Sequence, residues 1–209
     1  MHQHALLKML EMQHRMNTRI HPNWVAQNYA WYRAIWIECG ELVEHHGYKW
    51  WKAQTPDLEQ VRLEVIDIWH FGLSALFRDG LTLDDLAASI EQDIAEHSVV
   101  HADILAATES LALWVLQHRS FDVGRFWDLV LAVGLDFEAL YRAYVGKNEL
   151  NFFRQDHGYR EGRYRKVWDG REDNEHLVDV MSDTVARDAE LPEAVYEALE
   201  RRYRAYEPR

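Results

Sequence analysis

The chain has 209 residues, of which 48% are hydrophobic, and its formal net charge is −12. This length allows one large domain with a substantial core, and the negative net charge argues against a nucleic-acid-binding protein, whose surface should be basic. The single cysteine, Cys39, excludes an internal disulfide and a cysteine-based zinc cluster.

The sequence also predicts a cytoplasmic protein that binds no membrane. Residues 1–4 lack the basic start and apolar run of a signal peptide. No uninterrupted apolar stretch approaches the roughly 20 residues that span a bilayer. One free cysteine fits a reducing compartment.

Helical periodicity dominates the chain, and alternating strand patterns are scarce. We predict an all-α bundle that forms a single domain over residues 1–209, with a helical insertion at roughly 82–135. The predicted helices lie at roughly 3–18, 24–46, 57–78, 83–97, 102–118, 122–134, 137–153, 173–187 and 192–206. Residues 155–170 form a basic, aromatic and glycine-rich loop, and loops of this length commonly have a function.

Local signals predict several helix boundaries. Asn23 is expected to cap the second helix, and Thr55 is expected to cap the third, with Pro56 in its first turn. Asp136 is expected to cap the seventh helix. Gly47 lies where the second helix is expected to end.

Two pairs of acids stand within apolar helical segments and predict a metal site. Glu38 and Glu41 lie in the second predicted helix, and Glu64 and Asp67 in the third. Each pair shares one helix face, because its members are three positions apart. Two antiparallel helices can aim all four carboxylates into one gap, where a cation must offset their charge. Oxygen ligands suit Mg²⁺ or Mn²⁺, and the apolar flanks disfavour the alternative of two solvated acidic faces.

Two further polar groups are candidate ligand-binding positions. Lys147, Asn151 and Arg154 share a helical stripe that leads into the basic loop. Such donors match phosphate oxygens, although cations also suit a solvated helix end. Gln13 and Asn17 lie one turn apart and offer the donors and acceptors that read a base edge, or that form a local polar pair.

These motifs together resemble the all-α dimeric dUTPases of the MazG-type NTP pyrophosphohydrolase superfamily. The segment ECGEL at 38–42 is similar to the first metal motif of that family, and EVIDIWHF at 64–71 is similar to the second. The segment YVGKNELNFFRQDHGY at 144–159 resembles the third signature, and residues 12–17 resemble the base-binding helix. Gly40, between two of the metal acids, is expected to permit close helix packing.

The resemblance implies a Mg²⁺-dependent, homodimeric pyrophosphohydrolase that converts dUTP, and also dUDP, to dUMP, with pyrophosphate released from dUTP. The implied metal ligands are Glu38, Glu41, Glu64 and Asp67, and we choose Glu38 as the general base. Gln13 and Asn17 would hydrogen-bond uracil, with Trp51 and His70 as walls of its pocket. Asn151 would contact the deoxyribose 3′-hydroxyl, and the implied phosphate-binding residues are Lys147, Arg154, Tyr159 and Lys166. The basic loop would close over the substrate and exclude water.

Three alternative functions stay open at this point. The first is a pyrophosphohydrolase for dCTP or a modified pyrimidine nucleotide, which would share the metal site and differ in the base pocket. The second is a di-iron carboxylate bundle, to which the spacing of Asp67 and His70 is superficially similar, although such bundles use two copies of this element. The third is a helical interaction module without catalysis.

Overall fold

Nine α-helices account for most of the residues described by the computed structural model, which are 2–100, 103–185, 187–188 and 190–206. The helices are α1 Gln3–Ile20, α2 Trp31–His46, α3 Leu58–Leu76, α4 Leu83–Glu96, α5 Ile104–His118, α6 Val123–Ala132, α7 Phe137–Asp156, α8 Asp173–Asp183 and α9 Leu191–Ala205. The only strands in this part of the chain are β1 Val167–Trp168 and β2 Arg171–Glu172. The all-α fold class predicted from the sequence is therefore confirmed.

The second helix begins seven residues later than predicted. Residues Val25–Gln27 form a short 3₁₀ turn, and Asn28 follows in the left-handed conformation with φ of 50°. An α-helix cannot continue through this conformation, so α2 begins at Trp31 without a side-chain cap. The prediction that Asn23 caps this helix is therefore wrong.

The other boundaries follow local signals more closely. Asp57, rather than the predicted Thr55, caps α3, because its side chain accepts a hydrogen bond from the backbone N–H of Gln60 at 3.2 Å. Asp136 caps α7 as predicted and accepts from the N–H of Ala139 at 2.8 Å. Gly47 ends α2 with φ of 86°, a conformation that glycine adopts without strain.

Backbone contacts divide the chain into two compact units, Met1–Tyr141 and Arg142–Arg209, and the division falls within α7. In the first unit α3 packs along α2 and also against α1 and α6, α4 packs on α1, and α5 packs on α2 and α6. Trp69 of α3 is fully buried and stacks on Phe126 with ring centroids 4.7 Å apart. The expectation of a single domain with an insertion at 82–135 stays a prediction.

The second unit has an aromatic core that orders the segment predicted as a basic loop. Phe153, Trp168 and Tyr203 are buried, and the ring of Phe153 lies 5.7 Å from that of Trp168 and 5.3 Å from that of Tyr203. Strands β1 and β2 form an antiparallel hairpin, with Trp168 opposite Arg171. Helix α8 packs on α9 and on β2.

Among the described residues of the whole chain, none belongs to a helix long and apolar enough to cross a membrane.

Candidate active site

Three of the four predicted metal acids come together in the first unit. Glu38 and Glu41 on α2 and Glu64 on α3 each present a carboxylate oxygen, and these atoms all lie within 4.8 Å of one another. The helices run antiparallel, since Trp31 at the start of α2 stacks on Phe71 late in α3, whereas the end of α2 lies near Glu64. The spacing of three residues places the acids of one helix on the same face. The antiparallel packing of α2 on α3 then brings the acids of the two helices together.

The surroundings of Glu38 in this cluster disfavour ionisation of its carboxyl. Burial is the largest cause and, together with the charge of Asp67, a side-chain hydrogen bond to Glu64 and the charges of Glu64 and Glu41, raises the pKa of Glu38 to about 8. Asp67, half-buried on α3, thus acts on the cluster through its charge. A carboxyl group of this kind is held neutral until a cation compensates its neighbours.

His45 is a neighbour of the cluster that sequence reasoning missed. Its Nε2 atom lies 3.6 Å from Oε1 of Glu64. A signal was present in the sequence, because Glu38, Glu41 and His45 follow one another at spacings of three and four and so share a stripe of α2. His45 and His46 stand together at the end of a predicted helix, so the sequence alone does not single out His45 as part of this stripe.

The predicted base-reading residues form a buried polar network with a residue that the sequence did not indicate. Gln13 Nε2 donates to Oδ1 of Asn17 at 3.1 Å and to Oγ of Ser74 at 3.0 Å. Asn17 Nδ2 donates to the same Oγ at 2.9 Å. His70 Nδ1 lies 2.8 Å from Oε1 of Gln13. All four residues are buried, so side-chain hydrogen bonds join α1 to α3 within a largely apolar core.

Trp51, predicted as a wall of the base pocket, lies on the segment between α2 and α3 and is 61% exposed. Its ring packs edge-on against Tyr48 and Trp50, with centroids 6.0 and 5.6 Å away. His70, the other predicted wall residue, is instead buried within the polar network. The structure therefore brings His70, but not Trp51, into the described network.

The predicted phosphate-binding residues Lys147 and Arg154 belong to a polar cluster in the second unit. Arg154 binds Asp173 through two hydrogen bonds of 2.8 Å, from Nε and from one terminal nitrogen. Lys147 Nζ donates to Oδ1 of Asn174 at 3.0 Å, and Tyr164 donates its hydroxyl to Asp173 at 2.8 Å. Sequence reasoning gave no role to these acceptors, which lie about 20 or more residues away from the cations they bind.

Asp173 keeps its charge in this cluster although it is fully buried. Burial alone would raise the pKa of its carboxyl, but hydrogen bonds and charge from Arg154, then the hydroxyl of Tyr164 and the charge of Lys147, hold it below its usual range. The ionised carboxylate in turn fixes the planar guanidinium of Arg154 in one orientation.

The remaining predicted residues of the second unit lie nearer its surface. Asn151 accepts a hydrogen bond from Arg154 at 3.2 Å. Tyr159 is exposed on the turn after α7, with its ring 6.0 Å from that of Tyr164. Lys166 is exposed and pairs with Glu172 at 2.9 Å. Asn151 thus joins the Arg154 cluster directly, whereas Lys166 has a separate acidic partner.

Comparison with known proteins identifies the family. A family model described as dUTPase matches residues 5–159, which is well over half of the chain. No curated protein matches this chain. The chain therefore belongs to the all-α, MazG-like dUTPase family, whose members are dUTP diphosphatases, hydrolases of nucleotide metabolism that use a divalent metal.

Proposed function

We propose that this member of the all-α dUTPase family hydrolyses dUTP to dUMP and pyrophosphate in a Mg²⁺-dependent reaction, and that it also hydrolyses dUDP to dUMP and phosphate. The observation that carries the Mg²⁺ dependence is the grouping of Glu38, Glu41 and Glu64 within 4.8 Å. Carboxylates at this spacing repel one another strongly unless a divalent cation lies among them. Mn²⁺ prefers the same ligands and is expected to substitute for Mg²⁺.

The chemistry of the donor set fits a hard divalent ion, since every member offers carboxylate oxygen. Glu38, Glu41, Glu64 and Asp67 would hold the metal. A bound ion would neutralise phosphate charge and increase the acidity of a water molecule. His45, at 3.6 Å from Glu64, would hold that carboxylate in position.

We assign the general base to Glu38. Burial and the neighbouring acids raise the pKa of Glu38 in the metal-free protein. A bound cation would favour the ionised carboxylate, which can accept a proton from water. An Oε atom of Glu38 would accept a proton from water as the water oxygen forms a bond to the β-phosphorus. The bond from that phosphorus to the oxygen bridging the α- and β-phosphates then breaks, so that dUMP leaves and pyrophosphate carries the new oxygen.

The amide network and the cationic cluster are proposed to bind the rest of the substrate. Gln13 and Asn17 would hydrogen-bond uracil, with Trp51 and His70 as walls of its pocket. Asn151 would contact the 3′-hydroxyl, and Lys147, Arg154, Tyr159 and Lys166 would bind the phosphates and stabilise charge as it develops. The support for Lys147 and Arg154 is that Asn174 and Asp173 hold their cationic groups in fixed orientations. The basic loop would close over the bound nucleotide.

The decisive experiment is incubation of the purified protein with dUTP and Mg²⁺. Formation of dUMP and pyrophosphate, and its loss with EDTA, is the expected result. Glu38→Gln should lower turnover at saturating Mg²⁺ by about 100-fold or more, whereas Glu59→Gln, an exposed change on α3 outside the cluster, should not. Turnover that resists EDTA would contradict the metal dependence, and near-normal turnover of Glu38→Gln would remove that residue from the general-base role.

The same protein preparation tests the alternative functions. Pyrophosphate release from dCTP that exceeds release from dUTP would favour a different nucleotide specificity. Visible absorbance after iron loading would favour the di-iron bundle. Calorimetry without any Mg²⁺-dependent nucleotide binding would favour a non-catalytic module.

We also propose that the protein is a homodimer. Exposed apolar side chains occur on α2, at Trp36 and Ile37, and on α5, at Leu113 and Leu116, and these two helices contact each other. Exposed apolar surface of this kind marks contact surfaces between proteins. Light scattering should give about twice the chain mass of 24.8 kDa, and a monomer mass would contradict the proposal. The cytoplasmic location stays a prediction.

A further inference from the structure

Ser74 lies at the centre of the buried amide network and has no role in the function proposed above. It stands on α3, one turn after His70, and is 2% exposed. Its hydroxyl donates to the backbone carbonyl of His70 at 2.9 Å. A hydroxyl has a single hydrogen, so Ser74 can only accept hydrogen bonds from its other neighbours.

This restriction fixes the orientation of two carboxamides. The atoms that approach Oγ of Ser74 must be donors, and they are Nε2 of Gln13 at 3.0 Å and Nδ2 of Asn17 at 2.9 Å. The second hydrogen of Gln13 Nε2 goes to Oδ1 of Asn17. Oε1 of Gln13 then faces Nδ1 of His70, which must carry the hydrogen. One serine hydroxyl thereby determines which end of each amide is oxygen and which is nitrogen.

The orientation of Asn17 matters for base recognition. Its bonds to Gln13 and Ser74 leave one Nδ2 hydrogen and one Oδ1 lone pair for a ligand. Uracil presents a donor at N3 beside an acceptor at O4, whereas cytosine presents an acceptor at N3 beside a donor at N4. An amide held in one orientation therefore complements one of these bases, and the same amide rotated by 180° complements the other.

We propose that Ser74 is a positioning residue that sets the selectivity of the enzyme for uracil over cytosine nucleotides. The proposal rests on the proposed function, since it requires Asn17 and Gln13 to read the base. Ser74 acts through its hydrogen bonds to the two amides. Without its hydroxyl, the amides lose the acceptor that holds them and both orientations become accessible.

The test compares kcat/KM for dUTP and dCTP in Ser74→Ala and in the wild type. The ratio of the two values should fall by about tenfold, because a site built to hydrogen-bond one base edge loses that discrimination. The change should appear mainly in KM, with kcat for dUTP largely retained, since the acids of the metal cluster are untouched. Ser74→Cys keeps an acceptor at this position, although the thiol is larger and a weaker acceptor than the hydroxyl, and should give a smaller fall.

Thr108→Ala is the matched control. Thr108 is 1% exposed, and its hydroxyl donates to the backbone carbonyl of Ile104 at 2.7 Å, also one turn back along its own helix. It takes part in no described contact with the amide network, so its loss should leave the dUTP/dCTP ratio unchanged. A purely structural effect of losing a buried hydroxyl would be the same in both variants.

A spectroscopic measurement tests how firmly the two amides are held, independently of turnover. The side-chain N–H₂ groups of Gln13 and Asn17 should exchange slowly with solvent in the wild type and faster in Ser74→Ala.

An unchanged dUTP/dCTP ratio in both Ser74 variants would overturn the inference while leaving the proposed function intact. If Asn17→Ala leaves KM and selectivity as they are, the base-reading role itself fails, and the inference fails with it.

Discussion

At the residue scale, Glu38 combines partial burial with close acidic neighbours, and both oppose ionisation of its carboxyl. Its carboxyl is half-buried on α2, and neighbouring acids on both α2 and α3 oppose its ionisation, so its pKa rises from 4.5 to about 8. A carboxyl with a raised pKa favours the metal-free fold fully below its unfolded pKa, and this contribution is lost as pH rises through about 8. We therefore expect the proposed Mg²⁺ binding to displace a proton at neutral pH.

This displacement is measurable as proton release. At pH 7 the metal-free protein should release close to one proton per site when Mg²⁺ binds, and the release should vanish well above pH 8, where Glu38 is already ionised. The apparent affinity for Mg²⁺ should accordingly rise with pH by up to about tenfold per unit until about pH 8. Calorimetry in two buffers of different ionisation enthalpy measures the release.

Glu38→Gln provides the control for proton release, because an amide has no proton to lose in this range. The variant should bind Mg²⁺ more weakly and with little proton release at pH 7. Proton release that is equal in the variant and the wild type would show that another group titrates, and the assigned role of burial and like charge at Glu38 would be wrong.

At the scale of the element, α2 and α3 carry glycines whose surroundings differ completely. Gly72 of α3 is buried, and a Cβ built on it would lie 2.5 Å from Cζ of Phe121. Gly40 of α2 is exposed, and a Cβ built there meets no atom within 4 Å, so the expectation that Gly40 permits close helix packing is wrong within this chain. The same residue type thus serves close packing in one helix and only lowers helix propensity in the other.

Alanine substitution should therefore have opposite effects at the two sites. Gly72→Ala should lower the free energy of unfolding by about 1–3 kcal/mol, because the rigid ring of Phe121 must move. Gly40→Ala should raise it by about 0.5–1 kcal/mol through helix propensity alone. Urea unfolding with EDTA present measures both without a contribution from bound metal. Gly40 lies one turn after Trp36 and Ile37, on the apolar face proposed for the homodimer. A destabilising Gly40→Ala would therefore mean that the partner chain packs closely against Gly40.

The sequence predicts features that depend on short segments and does not predict contacts between distant segments. Helix spacing and caps are local, so the helices, the acid pairs and the cap at Asp136 follow from short segments. The left-handed Asn28, which delays α2, has no equally strong local signal. Ser74 could not be predicted as the centre of the amide network, because it lies 61 positions from Gln13 and meets it only through the packing of α3 on α1.

At the scale of the whole molecule, the two compact units carry different parts of the proposed chemistry. The acid cluster and the amide network lie within residues 1–141, whereas Lys147, Arg154 and their acceptors lie within residues 142–209. Metal binding and phosphate binding should then respond to different substitutions. Separating the two binding steps experimentally is possible, because Mg²⁺ binding can be measured without nucleotide.

The substitution Arg154→Lys should weaken phosphate binding without changing Mg²⁺ binding. Lysine keeps the positive charge but cannot form the two-point contact with Asp173 that orients the guanidinium. We expect KM for dUTP to rise about tenfold, while Mg²⁺ affinity measured without nucleotide stays at the wild-type value. Arg171→Lys is the matched control, since Arg171 is exposed, pairs with Asp179 at 2.8 Å and has no proposed contact with substrate. Weakened Mg²⁺ binding in Arg154→Lys, or an equal rise in KM in both variants, would contradict a specific phosphate-binding role for Arg154.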